Sequence, residues 1–216
     1  MNKFRLLALD LSTNTGWALF ENGVPIRYGV ISQPVVDWKA EIKTYKDYPS
    51  IYPRNFVEAA TLMSVRISDL IVITKPNAVV IEETNTSRQR FSQKILEWIH
   101  FCVVESIRSF KPIIPFRYLT TRCWRLHVKC FLSQWPEYHK WNSRYSRIKR
   151  KSKPNKAGAR VAKLDGKVIS RVDSKKLSVI IANKYYDLKL SPCEDDVADA
   201  INLGRAALEL GLFSTF

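Results

Sequence analysis

Apolar residues run along this chain in blocks whose spacing predicts the elements. "KFRLLALDL" is almost continuously apolar until Asp10, the pattern of a strand covered on both faces. In "GWALFENGVPIRYGVI" two apolar runs flank Asn22-Gly23, a dipeptide suited to the positive φ angles of a tight turn, which predicts a hairpin. Positions 33–53 are rich in Pro, Tyr and charge and read as a loop or short helices. From Arg54 onward, Phe56, Ala60, Met63, Ile67, Leu70 and Ile71 recur at helical spacing and stop before Pro76. "NAVVIEE" is a second buried strand, again closed by acid. Positions 88–110 predict a helix with Ile95, Ile99, Cys102, Ser106 and Ile107 on one face, and "PIIPFRYL" predicts a further short strand. Thr120 or Thr121 is placed to cap a helix through Cys130, and Asp173 to cap one carrying Leu177, Ile180, Ile181 and Tyr185. The last helix is expected to start at Ser191.

A strand, a hairpin and two crossover strands make a mixed five-stranded sheet with helices on its faces, an α/β fold. The pattern shows no internal repeat, so residues 1–216 are expected to form one domain. Positions 140–176 interrupt it as an insertion longer than ordinary connections, expected to be flexible.

Charge changes the picture more than composition does. The 216 residues carry 35 Lys and Arg against 20 Asp and Glu, a net of +15. Positions 140–176 alone hold 14 basic residues against Asp165 and Asp173. Like charges this concentrated repel unless a polyanion neutralises them, so Arg144, Arg147, Lys149, Arg150, Lys151, Lys153 and Lys156 are candidates for phosphate contact. Trp135, Tyr138, Trp141 and Tyr145 interleave with them, to stack on bases or to anchor the base of the insertion. Phe91, beside Arg88 and Arg90, opens the second long helix, where it could stack on an unpaired base or simply pack. Cys102, Cys123, Cys130 and Cys193 have neither a paired nor a regular spacing. Cys123, His127 and Cys130 share a helical face but lack a fourth ligand for zinc. The apolar run Leu6–Leu9 is too short for a signal-peptide core, and nothing approaches the length of a membrane span, so an intracellular, cytoplasmic protein is expected.

Against that basic background, "SPCEDDVADA" crowds four acids into six residues, Glu194 to Asp199. Ser191 and Glu194 fit a capping box, which gives Glu194 a structural role. Asp196 and Asp199 are three apart and project from one side of a helix, whereas Asp195 lies farthest from the apolar stripe and reads as solvated. Parallel strands present their carboxyl ends on one edge of a sheet, so strands ending at Asp10 and Glu82 would bring those side chains together. The set that remains is Asp10, Glu82, Asp196 and Asp199. Four converging carboxylates repel and raise one another's pKa, a conflict that Mg²⁺ or Mn²⁺ removes. An acidic cage in a basic chain points to two-metal phosphodiester hydrolysis, the metals about 3.5–4 Å apart.

"LALDLSTNTGWALF", "AVVIEE" and "EDDVADAINL" resemble, in order, the three acidic motifs of RuvC-like Holliday junction resolvases within the ribonuclease H-like superfamily, closest to phage-encoded members. The family's first-strand aspartate and Thr-Gly-aromatic turn match Asp10 and Thr15-Gly16-Trp17. Its strand-end Ile-Glu matches Ile81-Glu82, favouring Glu82 over Glu83, and its closing D-x-x-D-A matches Asp196, Asp199 and Ala200. "TTRCWR" is similar, more weakly, to a Trp-Arg/Lys element of phage members. The resemblance implies a ribonuclease H-like fold and Mg²⁺-dependent cutting of branched DNA, with two ions per site. It also implies a homodimer whose two sites nick opposing strands. The basic insertion departs from compact members. "DLSTNTGWA" is also similar to the first phosphate loop of actin-like ATPases and sugar kinases, but the second lobe and glycine-rich contacts that reading needs are missing from 216 residues with seven glycines. A ribonuclease H acting on RNA–DNA hybrids would share the cage, and a non-catalytic DNA-binding protein would need the basic segment without the acids.

Overall fold

A computed structural model describes residues 3–32, 54–83, 90–154 and 159–214, leaving aside the side chains of 54–56 and 90–92. Strands β1 (Arg5–Asp10), β2 (Asn14–Glu21) and β3 (Val24–Ser32) are followed by α1 (Arg54–Thr74), β4 (Ala78–Glu83), α2 (Arg90–Ser109) and β5 (Phe116–Thr120). Then come α3 (Thr121–His127), α4 (Pro136–Lys151), a small ribbon of β6 (Lys163–Leu164) and β7 (Lys167–Val168), α5 (Ser174–Tyr186) and α6 (Asp195–Glu209). The sheet runs β3-β2-β1-β4-β5. Strands β1, β2 and β3 are antiparallel neighbours, while β1–β4 and β4–β5 are parallel. This is the mixed sheet the hydrophobic pattern predicts. Its hairpin turns where expected, with φ of 52° at Asn22 and 85° at Gly23. The expected loop or short helices at 33–53 lie outside the described residues.

Alternation along the strands divides the core in two. Leu6, Ala8, Ala78, Val80 and Leu119 face one layer, with Trp124, Leu177, Val197, Ala200, Ile201 and Leu203 from α3, α5 and α6. Leu7, Leu9, Val79 and Ile81 face the other, with Met63, Ile67, Ile99 and Ile107 from α1 and α2. Because side chains change face at every residue, this parity also decides where each strand-end acid points.

Helix α6 lies unusually close to the sheet. The residues it turns inward include Ala198, Ala200, Gly204 and Ala207, all fully buried or nearly so. A Cβ at Gly204 would fall 2.2 Å from the ring of Phe20, and one at Gly16 in β2 would fall 1.9 Å from the backbone oxygen of Asp196. Gly16 is therefore required by space rather than by backbone angle. Asn202, fully buried, donates to the Ser178 carbonyl at 3.0 Å and its hydroxyl at 2.8 Å, tying α6 to α5.

Two expectations are corrected. The helix expected through Cys130 ends at His127, because Lys129 turns left-handed with φ 62° and the Cys130 amide returns to the Arg125 carbonyl at 2.6 Å. The segment 140–176 is not loop throughout: it opens in α4, continues into the β6–β7 ribbon and reaches α5. Among the described residues no helix is long and apolar enough to cross a membrane.

The Gly16–Asp196 contact is testable. Since backbone cannot yield as a flexible side chain can, Gly16→Ala should cost about 3 kcal/mol or more, read from the urea midpoint. An unchanged midpoint would show that α6 does not rest on β2 in this way.

Candidate active site

Asp10 ends β1, and the parallel register Leu9↔Ile81 carries one step further to set it beside Glu82 at the end of β4. Both continue the even-numbered series of their strands and point to the α6 side of the sheet. Glu83 belongs to the odd series and instead lines a cavity of about 400 Å³ with Glu97, His100 and Tyr118. Across the cleft, the first two turns of α6 supply Asp196 and Asp199. The structure thus brings together all four acids singled out from the sequence.

The electrostatics report the convergence. Asp10 is half-buried at the end of β1, and its carboxyl is held well above the ordinary range. Burial is the main cause, followed by the charges of Glu82, Asp199 and Asp196 and a hydrogen bond shared with Glu82. Asp199 is pushed up to about 6 by burial, against the pull of Arg125. Burial also raises Asp196, with Lys175 pulling the other way.

Three contacts of these acids do not follow from the sequence reading. Arg125 Nη2 meets Asp199 Oδ2 at 2.9 Å, its guanidinium 4.9 Å from the centre of the buried Trp124 ring. Thr121 at the start of α3 donates its hydroxyl to Glu82. Lys175, in the first turn of α5, pairs with Asp195 and lies 3.8 Å from Asp196. Arg125 and Thr121 belong to the "TTRCWR" segment that the resemblance touched only weakly, and Lys175 carries no local signal beyond following the Asp173 cap.

Asp195 is not merely solvated. Its side chain is 17% exposed against 34% for Asp196, because Lys175 covers it. The charges acting on Asp10 nonetheless include Asp196 and not Asp195. The start of α6 also differs from expectation. The helix begins at Asp195, and residues 191–194 form a separate turn in which the Glu194 carboxylate accepts from the Ser191 amide at 2.7 Å and its hydroxyl at 2.8 Å. Glu194 has its structural role, but Ser191 is not the helix cap.

The donor set fits a hard divalent cation. It consists of carboxylate oxygens only, and Asp199 Oδ1 is buried without a hydrogen-bond partner. Among the described residues no three His, Cys, Asp or Glu side chains stand close enough together to hold a metal ion; Arg125, Lys175 and Thr121 contact several of these oxygens. The Cys123–His127–Cys130 group is not assembled: the Cys130 thiol is buried and pushed up to about 11, and His127 pairs with Glu209 at 2.8 Å.

The other residues singled out lie elsewhere. Arg144, Arg147, Lys149, Arg150 and Lys151 are exposed along α4, with Lys153 just beyond it. Arg88 and Lys156 lie outside the described residues, as do the side chains of Arg90 and Phe91 in the first turn of α2. Trp135 and Tyr138 pack against the core, and Trp141 donates to the Ser170 carbonyl at 3.0 Å, so these aromatics anchor α4.

A carboxyl with a raised pKa keeps its proton in the native state at pH values where the unfolded chain has released it. Its contribution to stability is complete below about pH 4 and is lost as pH rises through the native value. In metal-free buffer, Asp10→Asn should therefore melt above the native sequence at pH 7.5, by on the order of 2–4 °C per kcal/mol recovered, and match it near pH 4. A margin independent of pH would contradict the convergence.

No family model and no curated protein matches the chain. Solved structures do. Thermus thermophilus RuvC in complex with a Holliday junction substrate superposes with a TM-score of 0.57 at 12% identity, over 96% of this chain and 97% of that one. A second Thermus thermophilus RuvC structure gives 0.55 at 13% identity, over 98% of each chain. The yeast mitochondrial Holliday junction resolvase Ydc2 overlaps at 0.46 and 12% identity, over 97% of this chain and 81% of that one. Identity this low speaks to architecture alone, and the architecture that places Asp10, Glu82, Asp196 and Asp199 around one cleft is the RuvC fold.

Proposed function

We propose that this protein is a divalent-metal-dependent endonuclease that cuts branched DNA, acting as a Holliday junction resolvase. The observation that carries the reading is the convergence of four carboxylates at one cleft of a chain whose net charge is +15. A catalytic site made of negative charge and a surface made of positive charge suit a polyanionic substrate that must be held and also hydrolysed. The fold adds to this, since RuvC of the same architecture was solved with a Holliday junction substrate.

In this reading Asp10, Glu82, Asp196 and Asp199 hold Mg²⁺, or Mn²⁺ in its place, two ions per site. When bound, such ions supply Lewis acidity at the phosphodiester and a source of hydroxide from water at neutral pH. The chain's own groups set the geometry. Thr121 orients the Glu82 carboxylate by hydrogen bonding to one oxygen. Trp124 and the Asp199 carboxylate hold the Arg125 guanidinium in place, so that it offsets charge at the buried end of the cleft. Lys175 occupies the open end, where its ammonium offsets Asp195 and Asp196 and can meet a phosphate oxygen as substrate enters. The basic residues of α4 and the segment after it hold the DNA. A homodimer would present two such sites to one junction.

The test is cleavage of end-labelled four-way junctions, forks, flaps, linear duplexes and RNA–DNA hybrids with Mg²⁺, Mn²⁺ or chelator. Metal-dependent nicking of branched DNA is expected, and cleavage confined to hybrids would make the protein a ribonuclease H instead. Asp10→Asn should lower cleavage by about 10³-fold or more while leaving junction binding intact. Parity predicts that Glu82→Gln damages cleavage far more than Glu83→Gln, and the contacts on Asp10 predict the same for Asp196→Asn over Asp195→Asn. Substantial cleavage by Asp10→Asn protein would sink the assignment.

A further inference from the structure

We propose that the groove between α4 and residues 170–172 is a second DNA-contact site, which takes the sugar–phosphate backbone of a duplex arm away from the scissile bond. The ligand's identity rests on the nuclease reading above; the groove itself does not. Basic residues on α4 are not equivalent. His139, Ser143, Ser146, Arg147 and Arg150 recur at helical spacing and, with Arg171 opposite, line a cavity of about 550 Å³. Arg144, Lys149 and Lys151 lie on the same helix but do not line it. Among the described residues no carboxylate lines the cavity, and none pairs with Arg147, Arg150 or Arg171.

The groove is built rather than a loose run of charge. The Asn142 side chain grips Val172 from both directions, donating to its carbonyl at 2.7 Å and accepting from its amide at 2.9 Å. Trp141 holds the Ser170 carbonyl at 3.0 Å, and Lys176 Nζ reaches the Ser170 hydroxyl at 2.8 Å and the Arg171 carbonyl at 3.2 Å. Arg171 is thus fixed by its neighbours on both sides, facing Arg147 and Arg150 across the gap.

The lining chemistry selects phosphate over base. Guanidinium forks and hydroxyls are donors suited to phosphate oxygens, and such contacts position a nucleic acid without reading its sequence. No Trp, Tyr or Phe lines the groove among the described residues; on α4, Tyr138 and Trp141 are spent on anchoring it. From residue 139 to residue 150 the stripe rises roughly 16 Å, enough to follow one strand past more than one phosphate. The groove is also tied to the cleft: two residues beyond Arg171, Asp173 caps α5, whose first turn carries Lys175 to Asp195 and Asp196. A backbone seated in the groove would hold a DNA arm at a fixed offset from the acids.

The experiment compares two triple variants of the full chain with equal loss of charge. Binding to a fluorescent four-way junction is followed by anisotropy over a salt series in chelator, and melting curves confirm that both variants fold. Arg147→Gln/Arg150→Gln/Arg171→Gln should weaken binding by about tenfold or more and flatten the slope of log K against log salt by up to about 2.7. Arg144→Gln/Lys149→Gln/Lys151→Gln should lose less than half as much on both measures. Equal losses in the two variants, or an unchanged slope in the first, would overturn the groove. Either result alongside metal-dependent cleavage by the native sequence would leave the nuclease reading standing, whereas absence of that cleavage would strike the nuclease reading alone.

Discussion

The close approach of α6 to β1 and β2 is the constraint on which the rest of this molecule depends. The backbone oxygen of Asp196 occupies the space that a side chain at residue 16 would need, and Phe20 occupies the space beside Gly204. With glycine at both places and alanines between, the helix settles low enough for its first two turns to overhang the strand ends. Only then do Asp196 and Asp199 share a cleft with Asp10 and Glu82. The arrangement is costly, because burial and mutual repulsion raise the carboxyls of Asp10, Asp196 and Asp199. A fold selected for stability alone would place apolar residues here. Retaining the acids makes sense when cations and a phosphate backbone are to be handled in the cleft.

Positive charge is distributed at three depths. Arg125 is enclosed and fixed on Asp199, its guanidinium beside the Trp124 ring, as an internal counter-ion. Lys175 stands at the mouth, 63% exposed, able to exchange one partner for another. The guanidiniums of α4 and Arg171 lie farther out, facing solvent around a groove. This gradation balances the acids at the core of the site without neutralising the outer positive surface, whose field is screened over about 10 Å at 0.1 M salt.

The sheet was legible because strand signals were strong and unambiguous. Continuous apolar runs ending in Asp10 and Glu82 marked the two central parallel strands, and Asn22-Gly23 marked the hairpin. Parity then separates Glu82 from Glu83 with no knowledge of neighbours. Helix α4 is harder to see: Tyr138, Trp141, Tyr145 and Ile148 recur at helical spacing, but the density of Lys and Arg around them masks the repeat. The role of Asp195 was hidden for another reason. Its cover comes from Lys175, 20 residues away on another helix, and no local pattern announces that meeting. Arg125 and Thr121 were equally non-local, reaching Asp199 and Glu82 across 74 and 39 residues.

The proposed nuclease requires four carboxylates from β1, β4 and α6 to form one metal cage. Anomalous diffraction from crystals of the native sequence soaked in Mn²⁺ tests it most directly. Manganese is expected in the cleft, ligated by oxygens of Asp10, Glu82, Asp196 and Asp199 at roughly 2.0–2.3 Å. Manganese bound instead to Glu83 or Asp195, or a cleft still closed by Arg125 and Lys175 at saturating metal, would contradict it.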